Sequence, residues 1–188
     1  MKEAKLYKVV RPILKVLVKI IFRPEIVNKE YINKEGRLII AGTHTDYYDP
    51  TLLMVSTKRC IHFMAKKELF EGKTRFFFKH MGLIPVDRSI KDKSVLINAK
   101  KYLEDEKIVG IFPEGTFSKE HKLLPFKIGT VKLAHDTDTP IVPFVIKGRF
   151  LKKGLKIIYG KPFKVETDDL EKENEKFHKL IEKMLKEN

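Results

Sequence analysis

His44 and Asp49, separated by four residues in Gly42-Thr43-His44-Thr45-Asp46-Tyr47-Tyr48-Asp49-Pro50, are the side chains best suited to moving a proton. Imidazole exchanges protons near neutral pH, and a carboxylate on its second nitrogen fixes the tautomer and stabilises the imidazolium. Asp46, two residues away, is a rival partner. A purely structural reading also accounts for part of the motif, because Asp before Pro is a favourable helix start, cap followed by proline. A metal site is not expected, since no second His or Cys stands near His44 at ligand spacing.

Three further segments carry groups that bind anions or make tight turns. Gly82-Leu83-Ile84-Pro85-Val86-Asp87-Arg88 reads as a strand delivering an Arg, whose planar donor fork suits a phosphate. Phe112-Pro113-Glu114-Gly115-Thr116-Phe117-Ser118 reads as a strand end followed by a turn with one acid and hydroxyls. Pro140-Ile141-Val142-Pro143 opens another strand. The single cysteine, Cys60, cannot form an internal disulfide, and nothing points to an oxidising compartment.

In this order and spacing the four segments resemble the glycerophospholipid acyltransferase family, best known for its 1-acyl-glycerol-3-phosphate acyltransferases, over residues 37 to 146. The resemblance implies that His44 and Asp49 form the catalytic pair of an HX4D motif. It implies that Arg88, Glu114 and Gly115, with Thr116 in the same turn, bind the acceptor. Lys127, in Phe126-Lys127-Ile128-Gly129, matches a family phosphate contact. The expected reaction moves a fatty acyl group from an acyl carrier protein or coenzyme A thioester to the free hydroxyl of 1-acyl-glycerol 3-phosphate, in phospholipid biosynthesis, with no cofactor beyond the donor. Glycerol 3-phosphate or another lysolipid is an alternative acceptor, and thioester or lipid hydrolysis an alternative reaction. Phe117 stands where many of these enzymes have Arg, Thr43 where Asn is frequent, and Asp46 where Ser is frequent.

The elements that must position these residues are legible as alternating short apolar runs and helical stretches. Runs 37–41, 61–65, 83–86, 108–112, 141–146 and 155–159 read as strands; 68–80, 93–104, 128–136 and 168–186 read as helices. Such alternation predicts one α/β domain over residues 25–188, with a largely parallel central sheet flanked by helices. Sites in such sheets lie at the carboxyl ends of strands, where His44 falls. With 188 residues and 43% apolar composition, the chain is long enough for one real core.

A net charge of +14 favours anionic partners. The excess is concentrated at residues 58–101, with 12 basic and 4 acidic groups, and 119–164, with 11 and 3, flanking the motifs. Nucleic acid is a remote alternative, because no stacking motif or helix-turn-helix signature accompanies the charge.

Residues 1–24 read as an amphipathic helix with a basic stripe of Lys5, Lys8, Arg11, Lys15, Lys19 and Arg23 on a broad apolar body. That pattern predicts a helix lying in the interface of a phospholipid membrane, with cations reaching the headgroups. The alternative is a terminal helix packed on the core with its Lys stripe in water. Pro12 interrupts the pattern, and a short helix before it with a longer one after it is the alternative to one continuous helix. Charges every three or four residues argue against a membrane span or a signal peptide, so the expected location is peripheral, on the cytoplasmic face of the cell membrane.

Overall fold

A computed structural model describes residues 4–87, 94–118, 122–148 and 154–187. Its chain order is α1 (Lys5–Ile21), β1 (Glu25–Val27), β2 (Leu38–Gly42), α2 (Asp49–Ser56), β3 (Ile61–Lys66), α3 (Arg75–His80) and β4 (Ile84–Val86). It continues with α4 (Ser94–Glu104), β5 (Ile108–Ile111), α5 (Gly129–Asp136), β6 (Ile141–Lys147), β7 (Lys156–Tyr159) and α6 (Leu170–Glu187). The seven strands form one sheet in the order β1-β7-β6-β2-β5-β3-β4. Every neighbouring pair is parallel except β6 with β7.

Helices cover both faces, which is why the central strands are apolar at consecutive positions. Leu38, Ile40, Ile61, Phe63, Phe144 and Tyr159 point into a core shared with α1 and α2. Ile39, Ala41, Val109, Ile111, Val145 and Ile158 point into a second core with α4, α5 and α6. Because β2, β3, β4, β5 and β6 run parallel, His44, the turn after β5, Lys66 and Lys147 all emerge at one carboxyl edge.

Helix α1 is continuous through Pro12. Pro12 has no amide hydrogen to donate within the helix, and it stands exposed on the surface of α1. At 100° per residue, α1 divides into three sectors. Ala4, Tyr7, Leu14 and Val18 face the core. Lys5, Lys8, Lys15 and Lys19 lie to one side, while Arg23 of the expected stripe stands beyond the helix end, at φ +45°. Val9, Ile13, Val16, Leu17, Ile20 and Ile21 stand in solvent on the remaining arc, all more than two-fifths exposed. Arg11 sits in the core-facing sector, unlike the rest of the stripe. Its Nε donates to the carbonyls of Met54 at 3.2 Å and Thr57 at 2.5 Å, closing the C-terminal end of α2. No described helix is long and apolar enough to cross a membrane.

Three elements depart from the sequence reading. The single helix expected over 68–80 is instead two 3-10 turns, Lys67–Phe70 and Gly72–Thr74, followed by the short α3. Gly72, at φ +64°, takes the left-handed conformation that ends a regular helix. Helix α2 begins at the Asp49-Pro50 helix-start signal, with Tyr48 rather than Asp49 as its cap residue, but its extent carries no period because it is apolar on nearly every side; strand β1 was not expected, being too short to show a period.

Candidate active site

Gly42 ends β2 where a Cβ would stand 1.8 Å from the Phe144 carbonyl oxygen, so only glycine lets β2 and β6 close up here. Thr43 continues the seam, its hydroxyl accepting from the Ile146 amide at 3.1 Å. His44 follows, with its ring stacked on Phe112 at 3.9 Å between centroids and 19° between planes. Phe117 presents an edge at 6.0 Å and itself packs on Tyr47 at 4.4 Å.

Asp49 is fully buried at the first turn of α2, yet its carboxylate makes no cap bond to that helix. It turns back on the loop. Oδ2 accepts from the amides of Thr45 at 2.6 Å and Asp46 at 2.9 Å, and lies 3.0 Å from His44 Nδ1. Two N–H groups already aim at Oδ2, so the third neighbour is also a donor, and His44 carries its proton on Nδ1. Nε2 then holds the free lone pair and has no partner among the described residues. The N-terminal end of α2 adds a favourable field for the negative charge. Asp46, the rival, uses its own carboxylate on the Tyr48 amide at 3.1 Å.

Glu114 holds the imidazole from the main-chain side. Its Oε1 accepts from the His44 amide and its Oε2 from the Leu124 amide, both at 3.0 Å. The Ser118 amide donates to the His44 carbonyl at 3.0 Å. Burial raises the Glu114 carboxyl above the usual range, opposed by these backbone donors. The turn itself closes through the Gly115 amide on the Phe112 carbonyl at 2.9 Å, with Gly115 at φ +69°. A side chain at Gly115 would meet Lys127 Nζ at 2.7 Å, so the lysine lies directly over the glycine.

A cavity of about 390 Å³ opens beside the dyad, within the range of small-ligand sites. His44, Glu114, Lys122, Leu123, Lys147 and Leu185 are among its lining residues. Of the expected acceptor contacts, Glu114 lines the cavity, Lys127 lies over the neighbouring Gly115, and Thr116 is exposed on the turn. Arg88 lies outside the described residues. Lys122 and Lys147 were missed, although Lys147 ends β6 at the site edge and both fall in the basic 119–164 segment. Phe112 was quoted only as part of a turn, and its stacking on His44 needs the third dimension. Among the described residues no group of three His, Cys, Asp or Glu side chains is arranged to hold a metal.

The family model described as Acyltransferase matches residues 23–147, which contain the dyad, the Glu114 turn and Lys127. The chain belongs to this acyltransferase family. Relatives of the acyltransferase include 1-acyl-sn-glycerol-3-phosphate acyltransferases of Bacillus subtilis, 36% identical over 84% of this chain and 82% of the relative, and of Borreliella burgdorferi, 31% identical over 79% and 65%. The crystal structure of the 1-acyl-sn-glycerophosphate acyltransferase PlsC from Thermotoga maritima shares the fold, with a TM-score of 0.73 over 98% of this chain and 83% of that one at 21% identity.

The acyltransferase keeps its only thiol away from this site. Cys60 precedes β3 and so lies at the amino edge of the sheet, opposite His44. Burial pushes the thiol up to about 12, leaving it protonated and a poor nucleophile.

Proposed function

We propose that the protein transfers a fatty acyl group from a coenzyme A or acyl carrier protein thioester to the free hydroxyl of 1-acyl-glycerol 3-phosphate. The observation that carries this reading is the locked tautomer. Asp49 and its two backbone donors hold the proton on His44 Nδ1, and Nε2 is left as the base at a cavity with Lys122 and Lys147 in its wall.

The hydroxyl proton passes to His44 Nε2 as the oxygen attacks the thioester carbon, and Asp49 stabilises the imidazolium. The ester C–O bond forms, the C–S bond breaks, and the departing thiolate takes the proton back from Nε2. No acyl-enzyme is formed and no cofactor takes part. Arg88, Lys122, Lys127 and Lys147 supply the positive charge that holds the acceptor phosphate, and Phe117 leaves that task to them. Stacking between Phe112 and Phe117 limits the imidazole's motion and keeps water from one side.

Helix α1 docks the enzyme on the cytoplasmic leaflet, peripherally, through its exposed apolar arc and its flanking lysines. Each Lys or Arg near an anionic surface adds about 1 kcal/mol. Incubation of purified protein with lysophosphatidate and each donor, followed by lipid mass spectrometry, tests the reading. Diacylated product is expected, with His44→Ala down by roughly 10² to 10⁴ in rate. Near-full activity of His44→Ala overturns the assignment.

A further inference from the structure

The segment after β3 leaves the sheet at the same carboxyl edge as His44, and α3 packs beside α1. Within α3 three phenylalanines follow one another. Phe78 turns inward toward Phe70, with ring centroids 6.4 Å apart. Phe76 and Phe77 turn outward and are 69% and 44% exposed, and Leu69 in the preceding 3-10 turn is 39% exposed. Lys73, Arg75 and Lys79, all exposed, surround them. The solvent-facing apolar arc of α1 belongs to the helix against which α3 packs.

We propose that Leu69, Phe76 and Phe77 form a second membrane-inserting element, which enters the same anionic leaflet as α1 and brings the bilayer to the mouth of the site. The proposal rests on the docking of α1 described above. Charge complementarity selects the occupant: large apolar side chains ringed by Lys and Arg match an anionic headgroup layer over hydrocarbon. A short helix with two adjacent outward rings suits insertion, because a bilayer needs no complementary pocket. The acceptor is an amphiphile, so an entrance pressed to the leaflet spares it a passage through water.

The sequence contains no Trp, so Phe77→Trp carries the only indole in the molecule. The protein is mixed with vesicles of equal parts phosphatidylglycerol and phosphatidylcholine, and binding is followed by sedimentation. Emission is expected to move to the blue and to be quenched by lipids brominated along the acyl chains. In a second arm, Phe76→Ser with Phe77→Ser is expected to lower vesicle partition by roughly 10-fold or more, since one buried Phe is worth about 10- to 100-fold. Activity on a short-chain, monomeric lysophosphatidate shows that this variant is folded. Sedimentation with unchanged, unquenched emission overturns the second element and leaves α1 docking standing. Failure of the parent protein to bind vesicles overturns both, without touching the acyl-transfer reading tested by His44→Ala. A blue shift produced by acyl carrier protein instead of vesicles also overturns the proposal and makes the patch a donor-docking site.

Discussion

Substituting Asp49 by Asn separates two contributions that are usually lost together. In a dyad whose carboxylate is replaced by an amide, the NH2 group can turn toward the imidazole and force the wrong tautomer, at a cost of about 10⁴ in rate. Here the Thr45 and Asp46 amides aim at the Oδ2 position from 2.6 and 2.9 Å, and an NH2 group in that position would face two donors. The amide oxygen is therefore expected to take that place, accept from both amides and from His44 Nδ1, and keep Nε2 as the base. What disappears is the negative charge. The lower bound is the difference between a charged and a neutral hydrogen bond, about 1.5 kcal/mol. The upper bound is the attraction of two charges near 4 Å at an effective dielectric of 20, about 4 kcal/mol. The expected loss in kcat is thus roughly 10- to 10³-fold, smaller than for His44→Ala, with the thermal transition nearly unchanged. Steady-state kinetics of both variants, with ¹⁵N NMR of the imidazole to report the tautomer, make the check. A folded Asp49→Asn protein as inactive as His44→Ala, or with its proton on Nε2, would refute the reasoning.

Other perturbations have expected outcomes of their own. Glu114→Gln keeps one of the two acceptors for the His44 and Leu124 amides, costs about 2 to 4 kcal/mol, and should lower both the thermal midpoint and kcat while acceptor KM changes little. A large KM effect with unchanged kcat would make Glu114 an acceptor contact instead. Lys122→Met and Lys147→Met should each raise acceptor KM roughly 10-fold or more with modest change in kcat, and equal use of an uncharged monoacylglycerol by the parent would exclude the phosphate-holding role. Cys60→Ser should stay fully active. In the parent, the folded state binds the Cys60 proton more tightly than the unfolded one, so stability is complete below about pH 9 and falls as pH rises toward about 12. The slope in that window is about 1.4 kcal/mol per pH unit from this thiol, with buried Tyr7 and Tyr159 adding to it. Denaturant titrations at pH 8 and pH 11 on parent and Cys60→Ser measure the difference.

The dyad was legible because its partners are five residues apart and the loop between them closes by local hydrogen bonds alone. The sheet was legible because its strands are apolar on both faces. Glu114 was identified as part of the site, but residue type does not say whether carboxylate oxygens meet a ligand or the protein's own amides. That depends on where β2 and β5 end relative to each other. Lys147 reaches the cavity only because β6 pairs parallel with β2, a pairing no local pattern contains. On α1, the spacing that groups Arg11 with the lysines is correct as geometry, yet the carbonyls of Met54 and Thr57 compete for its guanidinium. One sector of that helix packs on the core and another, apolar, stays bare, a division that the spacing of the charges alone does not reveal.

Helix α2 is a rod of eight residues, about 12 Å long. One end supplies the acid that steadies the imidazole; the carbonyls at the other are gripped by Arg11. The N-terminal helix and the base are thus joined through a single stiff strut, with no flexible hinge between them. Loss of the Arg11 guanidinium would therefore be felt at the buried carboxylate, because the two sit at opposite ends of one short rigid element.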